Sequence, residues 1–239
     1  MRYYLVIPAA GSGQRFAAAV PKQYAALGSS TVIEHALAPF EADADCAGIC
    51  VAVAPDDSLW PAIAARRSRF VETADGGEQR AHSVRNALRK LSSQVRDDDW
   101  VMVHDAARPC FTRVDLTTLK RELAAHPVGG LLAIPLADTL KRGLETGSQV
   151  THVDETLERA GLWRAATPQV FRFGVLLRAL EQALSVNRIP TDEAQAVEWS
   201  GQRPRLVAGR ADNIKVTTGD DLALASAILA TLHSTPGVS

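Results

Sequence analysis

The first residues in this chain able to do chemistry are a glycine pair followed by two cations, Gly11-Ser-Gly13-Gln-Arg15 and then Pro21-Lys22. Glycines permit a tight turn and let successive backbone N–H groups approach phosphate oxygens. Arg15 adds a forked donor and Lys22 a point charge, with Pro21 fixing the backbone just before it. Two familiar phosphate grips are excluded. Phe16 stands where the dinucleotide fingerprint needs its third glycine, and no Gly-Lys-Ser/Thr completes a P-loop. The bland alternative is a structural turn with solvated basic residues.

Farther along, Asp105 follows an apolar run. Its carboxylate could accept from a ribose or polyol hydroxyl, or face Mg²⁺ through a water. His104 beside it reads as a packed strand-end residue, and Thr191-Asp192-Glu193, taken alone, as a helix start. Asp97-Asp98-Asp99 looks like a metal motif, but it precedes a strand and so reads as a solvated acidic turn at the wrong end of a sheet.

These groups need a scaffold, and the hydrophobic pattern supplies one. Compact apolar runs at residues 3–8, 48–54, 100–104 and 129–135 have the character of buried parallel strands. Between them lie stretches of helical period. Thr31-Val-Ile-Glu34 is a capping box before a face of Ile33, Ala36, Leu37 and Phe40. Val84, Ala87, Leu88 and Leu91 form a second face, and Leu116, Leu119 and Leu123 a third, behind Thr112-Arg-Val-Asp115. Residues 223–232 read as a last helix behind acidic Asp220-Asp221. The alternation implies an α/β fold, a Rossmann-like and mostly parallel sheet with helices on both faces. Ligands then sit outside the carboxyl ends of the strands, where the glycine-rich loop, Asp-Ala-Ala-Arg-Pro and Ala-Asp-Thr-Leu-Lys-Arg all fall.

Residues 136–160 break this rhythm. They are polar, without a helical stripe, and read as a protruding hairpin. An arm with so little apolar surface is poorly stable alone, which predicts packing against a second subunit and hence a homodimer.

The bulk properties agree. The chain has 239 residues, 46% hydrophobic, with formal net charge −1. It is read as one domain over residues 1–239 with the arm attached. The charge gives no global drive toward nucleic acid or an anionic membrane, so any anion must be met by local cations. Cys46, Cys50 and Cys110 are too few for a disulfide framework and read as buried thiols in a reducing compartment. No secretory leader is visible, and no stretch approaches the ~18 apolar residues of a membrane span. A soluble, cytoplasmic protein is expected.

The string PAAGSGQRFAAAVPKQY resembles the loop of nucleotidyltransferases acting on sugar and polyol phosphates. ADGGEQRAHSV, VHDAARP, PLADTLKR, ERAGLWRAATPQVF, TDEAQAVE and GRADNIKVTTGDDLALA follow in order. Together they span nearly the whole chain and are similar to the blocks of the 2-C-methyl-D-erythritol 4-phosphate cytidylyltransferase family, enzymes of the isoprenoid pathway. Each block alone is weak; six in register are specific.

The resemblance implies joining of CTP to methylerythritol phosphate with release of pyrophosphate, and Mg²⁺ held mainly on phosphate oxygens. It implies that Arg15 and Lys22 stabilise the charge growing on the triphosphate. Lys215, which alone reads as an exposed lysine at a strand end, would hold the incoming phosphate. Arg159 would position the methylerythritol phosphate, together with Thr139 and Arg108, and the arm would carry such groups into a neighbouring subunit's site. Arg159 is preferred to Arg142 for its distance from Gly161-Leu-Trp. Thr167 and Thr191 would donate hydroxyls to the substrate. The nucleotide would meet Gly11, Gly13, Asp105 and Ala106, and the base the backbone of Ala9 and Ala10 with Gly76, Gly77, Glu78 and Ser83. Gly-Gly-Glu stands here where the family frequently has Gly-Gly-Asp, a harmless change if position 78 acts through its backbone.

Three other readings compete, among them a non-catalytic nucleotide-binding or assembly module, which would bind without releasing pyrophosphate. A ribitol 5-phosphate cytidylyltransferase would share the loop and the Asp105 block. An NAD(P)-dependent oxidoreductase would use Pro55-Asp56-Asp57 for ribose, but Phe16 opposes it.

Overall fold

A computed structural model describes residues 1–11, 16, 20–67, 71–146 and 149–234. Strand β1 (Tyr3–Pro8) leads past the glycine-rich segment to a 3-10 turn (Lys22–Tyr24) and a small hairpin, β2 (Ala26–Leu27) and β3 (Ser30–Thr31). Helix α1 (Val32–Glu41) follows, then β4 (Cys46–Val53), α2 (Trp60–Ala64), β5 (Val71–Asp75), α3 (Arg80–Leu91), β6 (Trp100–Val103), α4 (Arg113–Leu123) and β7 (Gly129–Pro135). The arm is β8 (Leu140–Thr146) with β9 (Gln149–Leu157). The chain continues as β10 (Trp163–Arg172), α5 (Phe173–Ser185), α6 (Glu193–Trp199), β11 (Arg205–Ala208) and α7 (Gly219–Ser234).

The seven-stranded sheet runs β11-β7-β10-β6-β1-β4-β5, with β10 antiparallel to both neighbours and the other pairs parallel. Alternating residues serve opposite faces. Tyr3, Leu5 and Ile7 meet Ile33, Leu37 and Phe40 of α1 and Leu116, Leu119 and Leu123 of α4. Tyr4 and Val6 meet Val84, Leu88 and Leu91 of α3 and Leu176 and Leu180 of α5. Each such buried side chain contributes about 2 kcal/mol of transfer free energy.

The capping signals act as expected. Thr31 N–H donates to the Glu34 carboxylate at 2.9 Å, and Thr112 and Asp115 bond reciprocally at 3.1 and 3.2 Å. Asp99 caps its own turn by accepting from Arg96 N–H, before β6 and away from the ligand rim. All three cysteines are free and buried, and burial pushes the Cys50 and Cys110 thiols up to about 12.

Among the elements absent from the sequence reading are β10, α5 and β11. β10 carries Pro168, which has no N–H for a ladder, and its pairing with β7 shifts register between Ala165 and Gln169. That interruption lifts Thr167 out of the ladder at the ligand rim. Gln169 then ties the strand to α6, donating to Asp192 at 2.9 Å and accepting from Ala194 N–H at 2.8 Å. The arm is a separate two-stranded antiparallel sheet, within the expected hairpin region.

Candidate active site

Five stretches converge beyond the carboxyl ends of the parallel strands. They are residues 9–11 after β1, 76–79 after β5, 104–109 after β6, the 212–218 loop before α7, and the bulge of β10. Backbone bonds knit them together. Ala9 N–H donates to Ala52 O at 2.7 Å, Gly76 N–H to Val53 O at 2.6 Å and Val216 N–H to Ala107 O at 2.8 Å. Gly76 is required by close approach, since a Cβ there would stand 2.1 Å from the Ala10 Cβ.

Asp105 is the electrostatic centre. It is 6% exposed, with Arg80 Nε at 3.0 Å from one oxygen and Lys215 Nζ at 2.9 Å and Arg108 Nε at 3.5 Å from the other. Burial works to raise its pKa, but Arg80, Lys215 and Arg108 outweigh burial and hold the carboxyl far below the usual range. Arg80 also forks onto Glu193, at 2.6 and 3.1 Å, so helix α6 is clamped to α3 across the rim. Arg108 donates to Asn213 O at 2.7 Å, and Asn213 Nδ2 donates to Thr167 O at 2.9 Å, which fixes the loop that presents Lys215.

Two cavities open here. The larger, about 350 Å³, is lined by Ala9, Ala10, Gly11, Lys22, Gly77, Glu78, Ser83 and Ala106 among others. The smaller, about 180 Å³, is lined by Arg108, Thr167, Gln169, Thr191 and Asp192 with Ala165 and Ala166. Both share Arg80, Asp105 and Lys215. A nucleotide-sized space and a smaller polar space therefore meet at one wall built of two cations and a carboxylate.

The family model described as 2-C-methyl-D-erythritol 4-phosphate cytidylyltransferase matches residues 3–231. The chain belongs to this family. A 2-C-methyl-D-erythritol 4-phosphate cytidylyltransferase of Pseudomonas fluorescens (strain SBW25) is 51% identical over 221 residues, 92% of each chain. The crystal structure of the Francisella tularensis 2-C-methyl-D-erythritol 4-phosphate cytidylyltransferase aligns with a TM-score of 0.80 at 35% identity, covering 95% of this chain and 100% of that one. That of the Thermus thermophilus enzyme aligns at 0.77 and 27% identity, covering 96% and 100%. Membership in the cytidylyltransferase family sets aside the oxidoreductase reading.

Most residues marked in the sequence meet at the two cavities. Arg15 and Gly13 lie outside the described residues. Thr139 and Arg159 do not line either cavity; both are exposed at the base of the arm, with Arg159 just beyond β9. Arg142 sits within β8, paired to Glu155 across the hairpin. Thr191 is exposed and Asp192 caps α6 by accepting from Gln195 N–H at 2.9 Å, so the helix-start reading holds alongside cavity lining.

At three marked positions groups of the chain itself already engage the residue. Thr167 Oγ1 accepts from Asp105 N–H at 3.0 Å and lies 3.0 Å from His104 Nδ1. Ala9 has less backbone to offer a base than expected, since its N–H is taken and its carbonyl accepts from Gln23 Nε2 at 2.7 Å. Three cations face the Asp105 oxygens, so a Mg²⁺ approaching through a water would compete with Arg80, Lys215 and Arg108 for this carboxylate. Among the described residues, no cluster of three His, Cys, Asp or Glu could hold a metal.

Sequence reasoning missed the roles of Gln23, Arg80, Glu193 and His104. Gln23 is 5% exposed and bridges Ala9 O and Gly11 O at 2.7 and 3.2 Å, bracing the mouth of the glycine-rich segment. Arg80 stood inside a quoted block, and its charge close behind two glycines was the available signal. Its partner Glu193 lies 113 residues away and left none.

Proposed function

We propose that this chain transfers the cytidylyl group of CTP to 2-C-methyl-D-erythritol 4-phosphate, releasing pyrophosphate, in the non-mevalonate formation of isoprenoid precursors. Family membership supports the reaction class, and the wall shared by the two cavities is the observation that supports the mechanism. A phosphate oxygen of the acceptor attacks the α-phosphorus of CTP in line, so two anions must be brought together. Two unit charges 4 Å apart interact by about 4 kcal/mol at an effective dielectric constant of ~20. Lys215 and Arg80, reaching both cavities, offset that repulsion where it arises, and positioning supplies much of the remaining acceleration.

Lys22 and Arg15 would carry the charge that grows toward the leaving pyrophosphate. Arg108 and Thr191 would face the acceptor. Ala10, Gly77, Glu78 and Ser83 would face the base. Magnesium would ride on the triphosphate oxygens rather than in a protein-made cage. Thr139 and Arg159, exposed on the arm, would act in the site of a second copy, making the working unit a homodimer. Dependence on CTP and three free, buried thiols fit the cytoplasm. Among the described residues no helix is long and apolar enough to cross a membrane.

The test is pyrophosphate release from CTP and Mg²⁺ with each acceptor separately. Release is expected with methylerythritol phosphate and not with ribitol 5-phosphate. The reverse preference would transfer the assignment to the ribitol enzyme.

A further inference from the structure

His104, just past the end of β6, is fully buried against the stacked rings of Phe40 and Phe111, whose centroids lie 5.3 and 5.1 Å from its own. Both its nitrogens are engaged, Nε2 with Arg108 O at 3.2 Å and Nδ1 with Thr167 Oγ1 at 3.0 Å. A carbonyl oxygen can only accept, so Nε2 carries the hydrogen. Asp105 N–H can only donate, so the Thr167 oxygen accepts there, and the hydroxyl hydrogen is left for Nδ1. Every donor in this relay meets an acceptor with one arrangement of hydrogens. Burial pushes the imidazole down to about 4, which agrees with a neutral ring.

We propose that His104 is a positioning residue for the transfer reaction: by taking the Thr167 hydroxyl hydrogen it makes Thr167 an acceptor for Asp105 N–H, and so sets the Asp105 carboxylate where Arg80, Arg108 and Lys215 meet. Reversing the hydroxyl would aim its hydrogen at the Asp105 amide, two donors face to face, and the turn would have to move. Thr167 is well placed to transmit this choice. Its carbonyl accepts from Asn213, so one residue clamps both the turn carrying Asp105 and the loop carrying Lys215. The inference rests on the proposed function for its kinetic consequence but not for its hydrogen-bond assignment.

Two measurements test it. Nitrogen-15 NMR of the full-length protein at pH 7 should show His104 neutral and protonated at Nε2, with Nδ1 shifted as a hydrogen-bond acceptor; Thr167→Val should abolish that shift. Protonation at Nδ1 instead would overturn the assignment. In pyrophosphate release, His104→Phe keeps an aromatic ring in the aromatic pocket, and each of His104→Phe and Thr167→Val should lower kcat roughly 10- to 100-fold. KM for CTP should stay within about threefold, Thr167→Ser should keep near wild-type rates, and the double variant should be no worse than the poorer single one. Multiplying losses in the double variant would mean His104 acts other than through Thr167. If the wild-type chain released no pyrophosphate, the proposed function would fall while the NMR result still judged the tautomer.

Discussion

The rim around Asp105 and the β8–β9 arm both carry opposed charges, held in contrasting ways. At the rim, Asp105 is 8% exposed at its side chain and Glu193 1%, and each is met by a guanidinium at 3.0 Å or closer. On the arm, the paired Arg142 and Glu155 are 58% and 49% exposed, and Leu144 and Val153 stand 46% and 61% exposed. A solvated pair contributes ~0.2–1 kcal/mol, whereas removing one partner of a buried pair costs about 3–5 kcal/mol. The rim is thus held by ion pairs of the chain itself, at the expense of desolvating their charges. The described ion pair of the arm is solvated instead, and the homodimer proposed above would cover the exposed apolar and charged groups around it.

Arg159→Ala offers the largest effect that could break this contrast. Turnover should fall roughly 100- to 1,000-fold if Arg159 acts on the acceptor as proposed, while thermal stability is unchanged because its side chain is exposed. Mixing Arg159→Ala chains with Lys22→Ala chains and allowing exchange should restore about a quarter of wild-type activity, since half the dimers carry one intact shared site. Absence of recovery in a mixture shown to contain heterodimers would place Arg159 in its own subunit's site, or in none.

A smaller effect belongs to the rim. His104 titrates at about 4 in the folded chain against 6.5 ordinarily. Between those values the unfolded chain binds the extra proton, so stability is fully present above about pH 6.5 and is lost as pH falls toward 4, by up to about 3 kcal/mol. Urea unfolding across this window should show the loss in wild type and a flatter profile in His104→Phe. Equal slopes would mean that His104 is not the group responsible.

How much of this was legible in the sequence follows from the range of the interactions. The capped helices and the apolar runs are local patterns, and each element they announced is present. Asp105 and Lys215 were visible as chemistry-bearing residues, but their 2.9 Å contact joins segments 110 residues apart in number and had no local signature. β10 escaped notice because Pro168 interrupts its pattern, although that interruption is what frees Thr167. The direction of the Thr167 hydroxyl was beyond any sequence pattern, since it depends on one carbonyl at Arg108 and one amide at Asp105. Arg159 was marked by resemblance and by its spacing from Gly161, yet it stands exposed outside both cavities, and no sequence pattern says what it would meet.

Lys215→Ala tests the central claim most directly, because Lys215 belongs to the wall common to both cavities. Steady-state kinetics should show kcat reduced about 100-fold or more, with KM for CTP changed by less than about threefold, as expected for a charge needed when the two phosphates meet. A variant with unchanged kcat and a raised KM would show that Lys215 only binds ground-state phosphate, and would contradict the account of a shared wall that brings donor and acceptor together.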